Sequence, residues 1–342
     1  MLVALSGGVD SSVAAYLLKK EGYAVEGVTI YFNSRSEKCI KDAKKIASKL
    51  KIPCRVLNLS KEFEDNVIDG FITEYLNGRT PNPCVNCNRA LKFGILFDKM
   101  REWGFNFLAT GHYARITVKG KKISLKKGKD KTKDQSYFLY SVRKDVLKKV
   151  RFPLGELTKG EVRKIARGAK LPVCGRGESQ DICFLPDRDY HSFLSERTDT
   201  VQRGPIITLE GECIGEHKGA AFYTIGQRGG LGVGYKHPLY VLSIDPRENR
   251  LVVGKREDLV SLRLLAGNIN ILVDRFPERA RAKIRYNQKE AACRVFERNK
   301  GTKLEIIFDR PEEAVTPGQS VVLYDKDTVL GGGIIEKSFG GA

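Results

Sequence analysis

Long apolar stretches are absent from this 342-residue chain: no run reaches the about 18 residues that a membrane-spanning helix needs. A charged n-region and cleavage site are also missing ahead of the first strand, which begins at Leu2, so no secretion signal is expected. No internal repeat and no low-complexity segment is found. Acidic residues are in short supply, 41 against 60 Lys and Arg, which leaves a net charge of +19. With 30% charged and 41% hydrophobic residues, the composition is that of a soluble globular protein. The expected compartment is the cytoplasm.

The positive charge is concentrated. Residues 115–170 hold 19 Lys and Arg against 5 Asp and Glu, a local excess of +14, whereas residues 274–337 are nearly balanced at +2. A focused basic region reads as a polyanion footprint, and nucleic acid is favoured over a merely lysine-rich surface because Glu does not keep pace with Lys.

Length allows two or three domains. The first third alternates strand and helix: strands over 2–5, 25–32, 55–59 and 105–110, helices over 11–20, 39–50, 62–76 and 89–103. Such alternation implies an α/β fold with a doubly wound parallel sheet. From about Gly204 the texture becomes short β-rich runs separated by Gly, Pro, Asn and Asp, including 205–209, 240–244, 251–253, 282–286, 304–308 and 320–324. That pattern fits two smaller β-rich domains, the last a β-barrel. The boundaries fall near 195 and 260, giving units of 1–195, 196–260 and 261–342. The Lys-rich piece 119–133 reads as a hairpin and exposed loop.

Ser6-Gly7-Gly8-Val9-Asp10-Ser11 lies between the first strand and a helix N-terminus. Backbone N–H groups and the positive helix end there point at an anion. Gly7 and Gly8 permit a sharp turn and close approach of phosphate oxygens, Ser6, Ser11 and Ser12 add hydroxyls, and Asp10 is placed to help hold Mg²⁺ on a pyrophosphate. The Walker A pattern is absent, and the turn contains no lysine. The loop resembles the PP-loop of the N-type ATP pyrophosphatases, which adenylate a carbonyl oxygen and release pyrophosphate.

Eight cysteines are present, at 39, 54, 84, 87, 174, 183, 213 and 293. Only Cys84 and Cys87 are closely spaced, in Asn82-Pro83-Cys84-Val85-Asn86-Cys87-Asn88, where a helix start would place both sulfurs on one face. The positive helix end, Arg89 and Lys92 are expected to lower a thiol pKa there. Cys183 sits in Glu178-Ser179-Gln180-Asp181-Ile182-Cys183-Phe184. A structural zinc site would want a second close pair, and a thioredoxin-like site would want its surrounding pattern; sulfur transfer between thiols on two segments fits best.

Taken together these motifs resemble the bacterial tRNA-specific 2-thiouridylases (the MnmA family). The likeness runs through nearly the whole chain, including Thr110–Ala114, Lys133–Leu139, Pro153–Gly155, Tyr223–Arg228 and Thr316–Gln319. It implies ATP binding by Ala4, Leu5, Ser6, Gly7, Gly8, Val9, Asp10, Ser11, Ile30 and Gly111. It implies adenylation of O2 of the wobble uridine in tRNA-Lys, tRNA-Glu and tRNA-Gln, with a base flipped from its stack. A Cys183 persulfide would then deliver sulfur to C2 and displace AMP, with Cys87 as partner nucleophile and a Cys87–Cys183 disulfide closing the cycle. Sulfur would arrive from a persulfide-carrying donor protein or a cysteine desulfurase. For tRNA the likeness implies contacts by Asn82, Pro83, Cys84, His112, Lys133, Asp134, Gln135, Arg285, Tyr286 and Gln319.

Many members carry Asp where this chain has Cys84. The trio Cys84, Cys87 and Cys183 therefore leaves a second route open, through a four-iron four-sulfur cluster on those three residues. Two further classes compete. An amidating PP-loop synthetase would need an ammonia source and has no use for Cys87 or Cys183. A non-enzymatic RNA-binding module would leave Ser6–Ser11 idle.

Overall fold

Short apolar runs that alternate with helices assemble into a parallel sheet. Its members are β1 (Leu2–Ala4), β2 (Glu26–Tyr31), β3 (Cys54–Asn58), β4 (Leu108–Ala109) and, after a hairpin of β5 (Ala114–Lys119) and β6 (Lys122–Lys127), β7 (Val150–Arg151). Their spatial order is β3-β2-β1-β4-β7, each neighbour parallel. The computed structural model describes residues 1–120, 122–172, 182–185, 189–198 and 201–340; Cys174 and the Glu178–Asp181 part of the Cys183 motif lie outside these. No helix among the described residues is long and apolar enough to cross a membrane.

One face of the sheet packs on α1 (Val9–Lys20), α2 (Ser36–Leu50) and α5 (Lys159–Gly168), through Val13, Ala14, Leu18, Ala43, Ile46, Val162 and Ala166. Two broken helices belong to the other side: α3 over 60–76 and α4 over 83–102. Each contains π-helical backbone, Glu64–Ile68 in α3 and Cys87–Ile95 in α4, and such bulges recur at functional sites. The sequence pattern places the start of α4 at 89; it begins at Pro83, since proline suits the first helical position, where its missing N–H has no partner to lose.

Beyond residue 200, β8 (Gly204–Thr208), β9 (Cys213–His217), β10 (Tyr240–Asp245) and β11 (Arg250–Gly254) form a sheet in the order β10-β11-β8-β9. The short strands of this unit are not all antiparallel: β8 and β11 run parallel. The last unit is a closed barrel of β12 (Val260–Ile271), β13 (Arg279–Lys283), β14 (Ala291–Arg298), β15 (Lys303–Glu313), β16 (Ser320–Asp325) and β17 (Thr328–Gly340). Closure comes from β12, which pairs with both β15 and β17. The strand expected over 282–286 is shifted to Arg279–Lys283, where exposed Arg279 and Arg281 alternate with Ala280 and Ala282 in the pairing with β14.

The Lys-rich hairpin is more than an exposed loop. Its β6 pairs with β17 through Lys126 and Thr328, Arg115 donates to Asp327 at 2.9 Å, and the Lys127 ammonium lies 4.5 Å from the Tyr324 ring centre. A continuous apolar cluster crosses this junction, from Phe93 and Phe97 through Leu125 and Tyr137 to Val322 and Tyr324. Tyr137 is fully buried and donates its hydroxyl to the Ser320 carbonyl at 2.8 Å. Tyr137→Phe strands that carbonyl and should destabilise the fold by about 1–2 kcal/mol, seen as a lower melting temperature. An unchanged melting curve would show that the hydroxyl does not help tie the barrel down.

Candidate active site

β1 and β4 are neighbours at the centre of the sheet, and their carboxyl ends open onto the crevice where parallel α/β sheets bind ligands. The Ser6–Ser11 loop follows β1. Gly7 has φ +74°, and a Cβ there would lie 2.7 Å from the Cys39 carbonyl oxygen, so glycine is required. Gly8 caps α1 without any side chain bonding back to the helix, which leaves the first turn directed at the crevice. The hydroxyls brace the loop itself: Ser6 N–H donates to Ser11 Oγ at 3.1 Å, and Ser12 Oγ donates to the Gly8 carbonyl at 2.6 Å.

From β4 comes Gly111, where a Cβ would be 2.8 Å from the Ser11 amide nitrogen. This close approach sets Tyr113 against the loop, and its hydroxyl donates to Asp10 at 2.8 Å. Lys159, at the first position of α5, reaches both Asp10 oxygens at 2.7 Å each, with only 13% of its side chain exposed. Its helix start is fixed by a capping box of Thr158 and Glu161. The loop that lacks a lysine of its own thus receives one from 149 residues away. Asp10, expected to help hold Mg²⁺ on a pyrophosphate, accepts here from Lys159 and Tyr113.

The thiols lie on the far side of the crevice. Cys87 is buried in an aromatic cluster with Phe63, Phe71, Leu91 and Phe193, while Cys84 is exposed one turn earlier. Phe184 enters the same cluster, 5.2 Å from Phe71 and 5.8 Å from Phe63, and Arg35 donates to its carbonyl. That anchor delivers the exposed Cys183 to Cys84 and Cys87, close enough for each to disfavour its ionisation. The expected lowering of the thiol pKa does not occur. Desolvation pushes all three up, Cys183 to about 12, and outweighs the opposing Lys92 charge. Among the described residues no three His, Cys, Asp or Glu side chains converge tightly enough to hold a metal ion.

His112 links the two halves. Its ring lies 5.8 Å from Phe93 and 5.9 Å from Phe152, with Nδ1 at 2.7 Å from Thr110 Oγ1. Burial and Lys92 hold its pKa well below the usual value, so it is neutral at pH 7. Ile30 lies in β2 and packs against two apolar clusters, the one that contains Phe93 and the one that contains Cys87.

The remaining candidates fall into two groups. Asn82, Pro83 and Cys84 open α4 beside the thiols. Lys133, Asp134 and Gln135 are on the segment ahead of Phe138, which packs on Tyr286 at 4.5 Å and accepts a bond from Asn88. Asp134 is buried and accepts from Gly128 N–H and the Ser136 hydroxyl, and Gln135 accepts from Tyr113 N–H. Arg285 donates to the Ala314 carbonyl and Thr316 hydroxyl, and Gln319 to the Thr80 carbonyl. Lys159, Tyr113 and Arg35 are not marked out by the sequence motifs as site residues; for Lys159 a signal exists, in the Thr158-Lys159-Gly160-Glu161 capping pattern.

Three family models match in succession: a tRNA methyl transferase HUP domain over residues 1–187, a tRNA methyl transferase PRC-barrel domain over 191–255, and an aminomethyltransferase beta-barrel domain over 261–335. The tRNA-specific 2-thiouridylase MnmA 1 of Syntrophus aciditrophicus is 48% identical, covering 99% of this chain and 93% of its own. That of Carboxydothermus hydrogenoformans is 45% identical over 98% and 97%. Among solved structures, the U34-tRNA thiolase NcsA from Methanococcus maripaludis with its [4Fe-4S] cluster covers 58% of this chain and 64% of its own, at 20% identity and a TM-score of 0.34, a likeness too slight to bear on chemistry. On the full-length identity to its relatives, the chain belongs to the tRNA-specific 2-thiouridylase family.

Proposed function

We propose that this protein is a cytoplasmic, ATP-dependent tRNA 2-thiouridylase acting on the wobble uridine of tRNA-Lys, tRNA-Glu and tRNA-Gln. The observation that carries the reading is a glycine loop after β1 linked to the helix that bears Cys84 and Cys87: His112, which follows β4 beside that loop, packs its ring on Phe93 of the helix. Activation and sulfur delivery are then two steps on one flipped base.

ATP lies along Ala4–Ser11 with Ile30 and Gly111 at its nucleoside end. Uridine O2 attacks the α-phosphorus, and pyrophosphate leaves. Lys159, already against the loop, neutralises phosphate charge once the nucleotide draws it from Asp10. The terminal sulfur of a Cys183 persulfide then attacks C2 and expels AMP, the good leaving group that adenylation created. Attack of the Cys87 thiolate on the Cys183 sulfur breaks the S–S bond, leaves sulfur on the base and forms a Cys87–Cys183 disulfide. A thiol reductant resets it, and a persulfide-carrying protein or cysteine desulfurase reloads Cys183. Residues 1–195 form the catalytic unit, 196–260 a central β-rich unit and 261–342 a barrel for the tRNA. Asn82, Pro83 and Cys84 face the base, and His112, Lys133 and Tyr286 border the RNA path.

Two groups tied to this chemistry fit less directly. Both Asp10 oxygens are engaged by Lys159, so Mg²⁺ would enter with the nucleotide rather than occupy a waiting site. Cys84, Cys87 and Cys183 are neighbours but do not converge as metal ligands, so no step is routed through an iron–sulfur cluster.

Incubation with ATP, Mg²⁺, a persulfide donor and unmodified tRNA-Lys, followed by nucleoside analysis, should yield 2-thiouridine. Cys183→Ala should lower the yield by at least about 10³-fold. Wild-type yield from that variant, or iron and acid-labile sulfide in anaerobically purified active protein, would defeat the persulfide route. Lys159→Ala should slow tRNA-dependent pyrophosphate exchange by about tenfold or more, and an unchanged rate would remove it from the phosphate site. Because the Cys183 thiol is pushed up to about 12, its alkylation by iodoacetamide should still be climbing about tenfold per pH unit at pH 10. A plateau near pH 9 would contradict that.

A further inference from the structure

The strap joining α3 to α4 leads into the turn that carries Cys84 and Cys87; Arg79 ties its start back to Glu74 of α3, and at Thr80 it is held from the barrel. Thr80 N–H donates to the Pro317 carbonyl at 2.9 Å. The Gln319 amide donates back to the Thr80 carbonyl at 2.9 Å and approaches the Pro81 carbonyl at 3.4 Å. Gly318, at φ +91°, comes so near that a Cβ would lie 2.8 Å from both Thr80 N and O. The turn is itself locked to β17, since Gly318 N–H donates to the Ile335 carbonyl and Ile335 N–H to the Gln319 carbonyl. On the opposite side the Thr80 hydroxyl meets that of Thr224 at 3.2 Å. All three units therefore touch one residue.

The segment beyond Thr80 is stiff. Pro81 and Pro83 fix two φ angles, and each proline restricts the residue before it. Only three peptide bonds separate Thr80 from Pro83, the first residue of α4, with Cys84 next. A displacement at Thr80 is passed on to the thiols with little loss. We propose that Gln319 is a positioning residue for sulfur transfer: its amide holds the Thr80–Pro81 backbone, and through it the Cys84–Cys87 turn. The inference rests on the thiolation reading for its purpose, but the brace itself is a property of the free protein. It predicts that the barrel sets thiol geometry before any RNA arrives.

The test measures iodoacetamide modification of Cys84 in RNA-free protein, located by mass spectrometry, in wild type, Gln319→Glu and Gly318→Ala. The first variant keeps size but loses the donor; the second pushes on Thr80 without adding any group able to recognise RNA. Melting curves establish that each is folded. We expect the Cys84 rate to change by about threefold or more in both. In Gln319→Glu, single-turnover 2-thiouridine formation at saturating tRNA should also fall by about tenfold or more. An unaltered Cys84 rate in both folded variants overturns the proposal, and a loss confined to tRNA affinity would make Gln319 an RNA contact instead. Because alkylation needs neither ATP nor tRNA, its result stands whether or not the wild-type protein makes 2-thiouridine.

Discussion

A single steric constraint organises the crevice: the backbone at Gly111 lies against the backbone at Ser11 with no room for a side chain between them. Two adjacent parallel strands end there, one feeding the glycine loop and the other the Thr110–Tyr113 segment. Once those backbones touch, the Tyr113 hydroxyl falls on Asp10 and the His112 ring turns toward Phe93 on the thiol helix. The position of the Asp10–Lys159 pair, the Gln135 contact to Tyr113 and the link across to α4 are all downstream of that contact.

The electrostatics of the two halves differ in kind. Around the nucleotide loop, charge is compensated: the Asp10 carboxylate has an ammonium and a phenol. At the buried Cys87, crowding by protein decides, and the nearby Lys92 charge does not reverse it. Thiols kept protonated are poor nucleophiles and poor targets for oxidants, so the resting cluster is chemically quiet. On the persulfide route proposed above, loading sulfur onto Cys183 would replace that thiol with a more acidic and more nucleophilic species.

Much of this is legible in the residues. Ser6–Ser11 marks a phosphate loop because glycines and hydroxyls at a strand end have few other uses, and the cysteines on two segments mark sulfur chemistry. Anything set by three-dimensional crowding is not legible there. The helix-start argument for acidic thiols fails because sequence reveals dipoles and neighbouring charges but not desolvation. The π-helical run Cys87–Ile95 has no signature in spacing, and the parallel pair of β8 and β11 looks like any short strands. Lys159 lies too far along the chain to be linked with a loop that lacks a lysine, although its capping box announces a second helix start.

The hairpin β5–β6 belongs early in the chain, yet its partner β17 is the last strand. During synthesis the hairpin emerges roughly two hundred residues before that partner exists, so its outer edge waits unpaired. An edge strand of this kind invites pairing with another chain, and its own composition, with lysines at 119, 122, 126 and 127, is a recognised deterrent. The lysines that give this region its polycationic character therefore also guard a nascent chain against its neighbours.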